Sequence, residues 1–277
     1  MPSPALRRIV VAVKQVPDTT QVKVDPETGT LIREGIPFIV NPFDTHALEE
    51  ALRLRDRFGC EVIALTMGPP NSVATLRHCL ALGADRAVLV SDRVFGGADT
   101  LATSLVLSAA VRRIAADLGR VDLVICGKQT IDGDTAQVGP GIATRLGLSQ
   151  LTLVDEIQEF DEAGRTITVR RKLEGRKEIV RAPLPALLTV VREINQPRYP
   201  AVPSRLGAEQ AEIEVWDNRI LELPEEQIGL KGSPTNVKRI FAPVRQLGEI
   251  VGDGEGDPEG AVQELIRKLI ERDLLAV

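Results

Sequence analysis

One segment of the chain, residues 127–139 with the sequence GKQTIDGDTAQVG, combines residue types that could bind a phosphate group. Glycine permits tight turns, aspartate caps helices, and small residues let a ligand approach the backbone closely. The pattern predicts a helix over residues 135–146, and the free N–H groups at its N-terminus, next to Gly133 and Thr135, suit a pyrophosphate. These features favour a nucleotide-binding loop, with a capped turn that binds nothing as the alternative.

Two aspartates limit how an anion could lie in this loop. Asp132 and Asp134 would repel a phosphate placed directly on them. Their carboxylates are better suited to capping the helix, or to accepting hydrogen bonds from an adenine amine or a ribose hydroxyl. We therefore expect them to act on the helix or on the nucleoside and not on the phosphate.

Other reactive side chains are few, since the 277 residues include two His and three Cys. The cysteines, Cys60, Cys79 and Cys126, are widely spaced and form no CxxC pair, so we expect buried, reduced thiols. His46 and His78 lie in helix-like stretches without a ligand partner four residues further on, which favours a packing role. The sequence contains no GxSxG, HExxH, Walker A or GxGxxG motif. We therefore expect no catalytic side chain and no metal, and any redox chemistry must come from a bound cofactor.

Composition excludes several classes of protein. Hydrophobic residues make up 43%, charged residues 26% and aromatic residues 3%, and the net charge is −5. A mildly acidic chain with few aromatics lacks the basic surface and the stacking platforms that nucleic-acid binding uses. The longest apolar runs fall short of the roughly 20 residues that span a membrane, and the first eight residues are too short for a signal peptide. We expect a cytoplasmic protein that neither binds nucleic acid nor inserts into a membrane.

The elements that must position the loop are predicted by hydrophobic patterning. Four aliphatic runs are continuous and not alternating, as in parallel strands that are buried on both faces: residues 9–13, 61–66, 87–91 and 121–126. Helical patterns separate them: residues 44–58, 71–82 and 99–118. The alternation predicts a doubly wound, mostly parallel sheet. In the strand order 3-2-1-4-5, the first and fourth strand ends flank the ligand crevice.

The second half of the chain adds other elements. We expect antiparallel hairpins around residues 25–29 (strands 22–24 and 31–33) and between residues 166–172 and 177–181, and a buried strand at 185–190. Residues 195–203 contain three prolines and cannot be regular structure. Residues 223–260 are rich in Gly, Pro and charge, and residues 260–272 form an amphipathic helix that docks on this domain or on a partner. This predicts an α/β domain over residues 1–222 and an extended C-terminal arm over 223–277.

Five sequence blocks together resemble the electron transfer flavoprotein β subunit, the FixA-like family, over essentially the whole chain and in order. They are VAVKQVPD (11–18), NPFDTHALEEAL (41–52), GADRAVLVSD (83–92), GKQTIDGDTAQVGP (127–140) and NQPRYPAVPS (195–204). The resemblance implies the adenine nucleotide α-hydrolase-like (Rossmann-like) α/β fold. It also implies an obligate heterodimer with an α subunit that carries an FAD, and thus an electron carrier subunit whose status as an enzyme stays open.

The resemblance also implies which residues contact the nucleotide. They lie at the first strand end, in the Asn-Pro turn, after the second strand and in the main loop: Ala12, Val13, Lys14, Asn41, Pro42, Phe43, Asp44, Thr66, Met67, Gly68, Gly127, Thr130, Ile131, Asp132, Gly133, Asp134, Thr135, Ala136, Gln137, Val138 and Gly139. Some members have Cys at the position of Met67, so only a backbone contact is expected there.

Residues 193–203 match the loop by which family members recognise dehydrogenase partners. The resemblance implies partner contacts by Glu193, Asn195, Pro197, Arg198, Tyr199 and Pro200. The alternative is a surface loop that ties down the edge of the sheet.

Two subtypes of the family differ in the nucleotide. In one, as in mitochondria, the pocket holds structural AMP and the loop reads roughly AIDDDxNQTGQ. In the bifurcating type it holds a second FAD, with GDTAQVGP in the loop and VKQVPDT at the first strand, as here. The small residues Gly133, Thr135 and Ala136 leave more space beside the pyrophosphate, and residues 229–243 resemble the tails of that subtype. The resemblance therefore favours FAD, with AMP as the alternative.

The bifurcating type implies that NADH donates a hydride. One electron goes to ferredoxin or flavodoxin, and the other goes through the α-subunit FAD to a dehydrogenase or quinone oxidoreductase. The alternative is an AMP-holding scaffold that docks acyl-CoA dehydrogenases. A stand-alone nucleotide-binding stress-protein-like domain would leave residues 195–204 and the long tail unexplained.

Overall fold

A computed structural model of the chain describes residues 6–18, 23–24, 31–32, 37–161, 163–236 and 248–275. They fall into two compact units, one comprising the described residues up to 236 and the other residues 248–275. The predicted hairpin near the N-terminus is confirmed where residues 23–24 pair antiparallel with residues 31–32. Its remaining residues, and residues 237–243 of the predicted tail, lie outside the described part of the chain.

The described residues form thirteen strands and seven α-helices. The strands are β1 (Arg8–Ala12), β2 (Gln15–Pro17), β3 (Lys23–Val24), β4 (Leu31–Ile32), β5 (Phe38–Val40), β6 (Glu61–Met67), β7 (Arg86–Val90), β8 (Leu123–Gly127), β9 (Ser149–Asp161), β10 (Thr166–Leu173), β11 (Arg176–Pro183), β12 (Ala186–Val190) and β13 (Glu214–Trp216). The helices are α1 (Pro42–Phe58), α2 (Val73–Leu82), α3 (Thr100–Leu118), α4 (Val138–Leu146), α5 (Val202–Gln210), α6 (Asn218–Leu221) and α7 (Pro258–Glu271).

The main sheet has the strand order β11-β10-β9-β12-β8-β1-β6-β7-β13. Its centre, β7-β6-β1-β8-β12, is parallel and has the predicted order 3-2-1-4-5. The predicted antiparallel hairpin is confirmed as β10 and β11. A long strand that the patterning did not predict, β9, joins this hairpin to the parallel part. The fold is therefore the expected α/β type with an antiparallel addition.

Helices cover both faces of the parallel strands. Val11 of β1 packs on one face with Ala47 and Leu48 of α1. The next residue back, Val10, packs on the other face with Val106 of α3. Because side chains alternate along a strand, burial on both faces requires apolar residues at every position, and each such Val or Leu contributes about 1.5–3 kcal/mol.

Two helix starts matter for the site. Helix α1 begins with Pro42 at its first position, directly after Asn41 and two residues before the predicted start at residue 44. Helix α4 begins at Val138 and not at residue 135. Asp134 and Ala136 have φ values of 51° and 55°, and left-handed residues cannot belong to a right-handed helix. The prediction of the α4 start was therefore wrong by three residues.

The chain beyond residue 194 is more regular than predicted. Residues 195–200 have no helix or strand, as expected from their prolines, but α5 begins at Val202 and is followed by β13 and α6. Trp216 of β13 and Ile228 are buried in the same apolar cluster as α3. The segment after residue 194 therefore continues the α/β core up to at least Ile228.

The second unit contains the predicted amphipathic helix, α7. Its N-cap residue, Asp257, accepts a hydrogen bond from the N–H of Gly260. Its apolar residues Val262, Leu265 and Ile266 are exposed. Docking of this helix on a partner stays a prediction. Among the helices of the described ranges, none has the length and apolar character needed to cross a membrane.

Candidate functional site

The predicted site residues meet at the carboxyl ends of β1, β6 and β8, where the chain order of the sheet reverses. Such a switch point forms a crevice in open parallel sheets. Lys14, after β1, donates hydrogen bonds from Nζ to both carboxylate oxygens of Asp132, at 2.9 and 2.7 Å. Thr66, in β6, donates a bond of 2.7 Å to the carbonyl of Val13. The structure thus brings together segments that lie more than 100 residues apart in sequence.

Asn41 is a fully buried link between α1 and the loop after β8. Its Nδ2 donates to the carbonyl of Gln129 at 2.9 Å, and its Oδ1 accepts the N–H of Ile131 at 3.2 Å. Its backbone N–H donates to the carbonyl of Lys14 at 2.9 Å. Asn41 is 0% exposed, so its side chain faces protein groups.

Asp44 joins the same two strand ends. Its carboxylate accepts the N–H of Lys14 at 2.8 Å and the N–H of Gly127 at 2.9 Å. The side chain is buried, and this burial raises the pKa of Asp44 to about 7 although hydrogen bonds from Lys14, Gly127 and Asn41 lower it. The carboxyl group therefore changes its charge near neutral pH.

Two glycines let the elements around the crevice approach closely. A Cβ on Gly127 would lie 2.5 Å from Cβ of Phe43 and 2.6 Å from Oδ1 of Asp44. A Cβ on Gly139 would lie 2.8 Å from Sγ of Cys126, at the point where α4 begins. Any larger residue would push α1 or α4 away from the end of β8.

Residues 132–137 form an exposed loop on the rim of the crevice. The loop contains the two left-handed residues, Asp134 and Ala136, and a non-glycine residue in this conformation is a strain found often at ligand sites. Gln129 donates to the carboxylate of Asp134 at 2.7 Å. No side chain caps the start of α4, where Gln137 instead accepts a bond from Thr100. The N–H groups of the first turn of α4 are therefore not capped by a side chain.

Asp132 carries a negative charge that Lys14 compensates. Partial burial raises the pKa of Asp132, but hydrogen bonds from Lys14 and Thr130 outweigh it and leave the pKa below its usual value. An ionised, paired Asp132 repels a phosphate less than a bare carboxylate would. The pairing with Lys14 therefore reduces the repulsion that Asp132 would exert on a phosphate in the loop.

A cavity of about 730 Å³ adjoins the loop. Its floor includes the ring of Phe43, with Lys128 Nζ at 5.1 Å and the Arg192 guanidinium at 4.7 Å from the ring centre. Leu173 and Glu174, at the tip of the β10–β11 hairpin, also line the cavity. Lys128 and Arg192 were not predicted from the sequence as residues of the candidate site. Both follow parallel strand ends, β8 and β12, and this position was the signal that could have identified them.

The predicted partner segment divides between two places: Glu193 lines the cavity, and Asn195 and Arg198 bond to α1. Arg198 donates from Nε and from its backbone N–H to Oε2 of Glu49, at 2.8 and 3.0 Å, and lies 2.9 Å from Asp56. The bond to Glu49 raises the pKa of Arg198 further. Tyr199 follows directly and is 94% exposed.

Asn195 forms a second attachment of this segment. Its Nδ2 donates to Oε2 of Glu50 at 3.0 Å and to the carbonyl of His46 at 2.9 Å. His46 Nδ1 lies 3.0 Å from Oδ1 of Asn195. Burial raises the pKa of Glu50, and the bond from Asn195 partly offsets this. The sequence analysis missed His46, Glu49 and Glu50, whose signal was the pair of adjacent acids in NPFDTHALEEAL.

The three cysteines are buried and free, as predicted. Burial raises the pKa of Cys60 to about 11 and that of Cys79 to about 12, and also raises the pKa of Cys126. Thiols of this kind are not nucleophiles at neutral pH.

The fold and the crevice define a Rossmann-like α/β protein with a loop of small residues at its switch point. A family model for the electron transfer flavoprotein domain matches residues 28–221. Protein FixA of Azorhizobium caulinodans is 52% identical over 236 residues, which cover 85% of this chain and 84% of that protein. Subunit CarD of the caffeyl-CoA reductase-Etf complex of Acetobacterium woodii is 46% identical over 271 residues, 97% of this chain and all of CarD.

A third relative, the electron transfer flavoprotein subunit beta of Megasphaera elsdenii, is 44% identical over 271 residues, 96% of this chain and 99% of that protein. The chain belongs to the electron transfer flavoprotein family and, within it, to the FixA-like β subunits. Its role is that of an electron transfer flavoprotein β subunit.

Proposed function

We propose that this β subunit binds FAD in the crevice beyond β1 and β8, accepts reducing equivalents from NADH there and bifurcates the electrons. The observation that carries the proposal is the exposed loop of residues 132–137 in front of the uncapped start of α4. A pyrophosphate at that helix start would accept bonds from backbone N–H groups. The adjoining cavity of about 730 Å³ leaves room for the second half of a dinucleotide.

The residues present fit such a group. Ala12, Val13 and Met67 would face the adenosine half, and the backbone of residues 133–139 would hold the pyrophosphate. Lys14 pairs with Asp132 at 2.7 Å, so this pair adds no net charge to the rim. When bound, FAD would supply the redox chemistry: a hydride from NADH delivers two electrons, one for ferredoxin or flavodoxin and one for the α-subunit FAD.

The side chains of the chain would position and shield the flavin and would not themselves exchange electrons. Cys126 is the thiol next to the crevice, and burial keeps it protonated. The ring of Phe43 is buried, lies within about 5 Å of two cations and gives the cavity an aromatic lining. This matches a subunit whose chemistry resides in its cofactor.

We also propose two partners. An α subunit would form the heterodimer and contact the C-terminal arm, residues 223–277, whose helix α7 exposes apolar residues. A dehydrogenase or quinone oxidoreductase would dock on residues 193–200, where Tyr199 is exposed. The relative CarD is named as part of a complex with caffeyl-CoA reductase, which is in keeping with a dehydrogenase-type partner.

The test is to co-purify this chain with its α subunit and to quantify the nucleotides released on denaturation. Two FAD per heterodimer and no AMP is the expected result. One FAD and one AMP would contradict the bifurcating version and favour the AMP-holding scaffold.

Substitutions locate the site in the same assay. We expect Asp132→Ala to weaken nucleotide retention because it removes the hydrogen bonds that tie the loop to Lys14, and Gly133→Val to do so because it adds bulk to the loop. Glu159→Ala, on the exposed part of β9, serves as the control and should retain the nucleotide. Equal retention in all three variants would mean that another loop binds the nucleotide.

A further inference from the structure

Asn41 and Asp44 use their side-chain polar atoms within the protein. Asn41 bonds to the backbone of Gln129 and Ile131, and Asp44 bonds to the backbone of Lys14 and Gly127. Both residues are buried, at 0% and 4% exposure. A ligand in the crevice would therefore have to displace existing bonds to reach either side chain.

These bonds connect the two strand ends that form the crevice. Lys14 lies two residues beyond the end of β1, and Gly127 is the last residue of β8. One carboxylate accepts both N–H groups, at 2.8 and 2.9 Å. The spacing between the two ends therefore depends on a group that lies below the crevice and not in it.

The packing at Gly127 allows little adjustment. The added Cβ considered above would collide with both Phe43 and Asp44. The first turn of α1 thus lies directly against the end of β8, and loss of a bond here must move the backbone or leave an N–H without a partner.

We propose that Asn41 and Asp44 are positioning residues, a clasp that sets the spacing of Lys14 and the 127–131 backbone for the nucleotide without contacting it. The role rests on the proposed function for the nucleotide itself. The ionised form of Asp44 is the form that accepts both N–H groups, since a protonated carboxyl presents a hydrogen to one of them.

Three other titratable groups surround Asp44. Lys14 approaches from the end of β1 and shares its ammonium with Asp132, while the thiols of Cys79 in α2 and Cys126 in β8 face it from the core. Burial raises the pKa of both thiols, and hydrogen bonds from Lys14 and Thr130 leave the pKa of Asp132 below its usual value. The pKa of Asp44, about 7, lies between those of the thiols and that of Asp132.

The first test compares Asp44→Asn with Glu50→Gln in the full-length chain. Glu50 is the matched control, because it is a buried acid on the same helix that bonds to Asn195, away from the crevice. The probes are AMP, 2′-deoxy-AMP and 3′-deoxy-AMP. We expect Asp44→Asn to lose affinity about tenfold for all three probes, and Glu50→Gln to lose none. A loss that disappears with one deoxy probe would overturn the proposal, because it would assign Asp44 to that ribose hydroxyl.

The second test measures amide hydrogen exchange and needs no ligand. Asp44→Asn should speed exchange at the N–H groups of Lys14 and Gly127, and Glu50→Gln should leave both unchanged. Unchanged exchange in Asp44→Asn would overturn the clasp. If no adenine nucleotide binds to the wild type, the proposed function fails, and this experiment still decides on the clasp.

The third test uses the unmodified protein and so does not depend on how a variant folds. FAD is the probe, because its pyrophosphate does not titrate between pH 6 and 8. With a pKa of about 7 for Asp44, the affinity should fall about tenfold as the pH falls from 8 to 6. A flat profile, or the same slope in Asp44→Asn, would contradict the role of the carboxylate.

Discussion

Helix α1 holds two segments of the chain by different means. At its N-terminal end, Asn41 and Asp44 hold the crevice through buried bonds to backbone groups. Further along the helix, Glu49 and Asp56 hold residues 195–198 through ion pairs with Arg198, whose side chain is 33% exposed. We call the second set the ion-pair attachment and keep the term clasp for the first.

The difference indicates what each segment needs. Buried bonds to backbone N–H groups are insensitive to salt, and they fix geometry closely because an unmet N–H is costly. Partly exposed ion pairs contribute less, weaken with salt, and allow a segment to adapt to a partner. A cofactor crevice benefits from the first kind of contact and a docking segment from the second.

The largest expected effect is that of Asn41→Ala. It removes the partners of the Gln129 carbonyl and the Ile131 N–H, so we expect the free energy of unfolding to fall by about 2–4 kcal/mol and the nucleotide to be lost. Urea denaturation and nucleotide quantification measure the two effects. Asn71→Ala, at an exposed position, is the control. If Asn41→Ala and Asn71→Ala had the same free energy of unfolding, the buried bonds of Asn41 would contribute no more to stability than an exposed side chain does.

Because of Asp44, the free energy of unfolding and the affinity for the nucleotide should depend on pH with opposite signs. The pKa of Asp44 in the folded chain, about 7, lies above its ordinary value of 3.8. Between these values the folded state holds a proton that the unfolded state has released, so stability from this group falls as the pH rises. Asp44→Asn cannot ionise, and it should gain about 2.6 kcal/mol relative to the wild type between pH 5 and pH 8.

Urea denaturation at the two pH values measures this gain. The same variant is expected to bind nucleotide less well at pH 8, so stability and binding should change in opposite directions. A variant that loses both together would point to a structural role alone.

A smaller effect is expected at the ion-pair attachment. Arg198→Ala leaves Glu49, whose side chain is 6% exposed, with Arg53 as its remaining ion-pair partner. We expect a loss of about 1–2 kcal/mol that shrinks at high salt, with nucleotide retention unchanged. Arg176→Ala, at a more exposed ion pair, is the control and should leave the free energy of unfolding unchanged in urea denaturation. A loss of nucleotide from Arg198→Ala would show that the two segments are not independent.

The smallest effect should come from removing the second unit. A chain that ends after residue 236 keeps Ile228 in the core and the bonds of Ser233 and Thr235 to Asp99, so its melting should match the wild type. Assembly with the α subunit should loosen, as measured by gel filtration of the mixed subunits. A chain that ends after residue 222 loses those contacts and should melt earlier. Equal melting temperatures of the two truncated chains would show that residues 223–236 do not stabilise the core.

Much of the fold was predictable because its central strands are continuous aliphatic runs, which occur where both faces of a strand are buried. Strand β9 was missed because it is half-exposed and carries Asp155, Glu156 and Glu159 among its apolar residues. Strand β13 has only three residues, and its pairing with β7 depends on a segment more than 120 residues away. Periodicity carries no information about such long-range pairing.

The place of the candidate loop at the end of β8 was predictable from the sequence, and its conformation was not. The loop of residues 127–139 was identified from its glycines and aspartates, but its left-handed residues are Asp134 and Ala136, and Ala gives no local signal for that conformation. The bonds of Asn41 and Asp44 go to backbone groups that any sequence would possess. Their positions therefore became evident only from the packed structure.

The most direct test of the whole account is amide hydrogen exchange of the full-length chain with and without FAD. We predict that FAD slows exchange in residues 127–139 and at Lys14, and leaves residues 195–200 unchanged, because the two segments are held independently. Protection confined to residues 195–200, or absent from both segments, would contradict the assignment of the crevice as the nucleotide site.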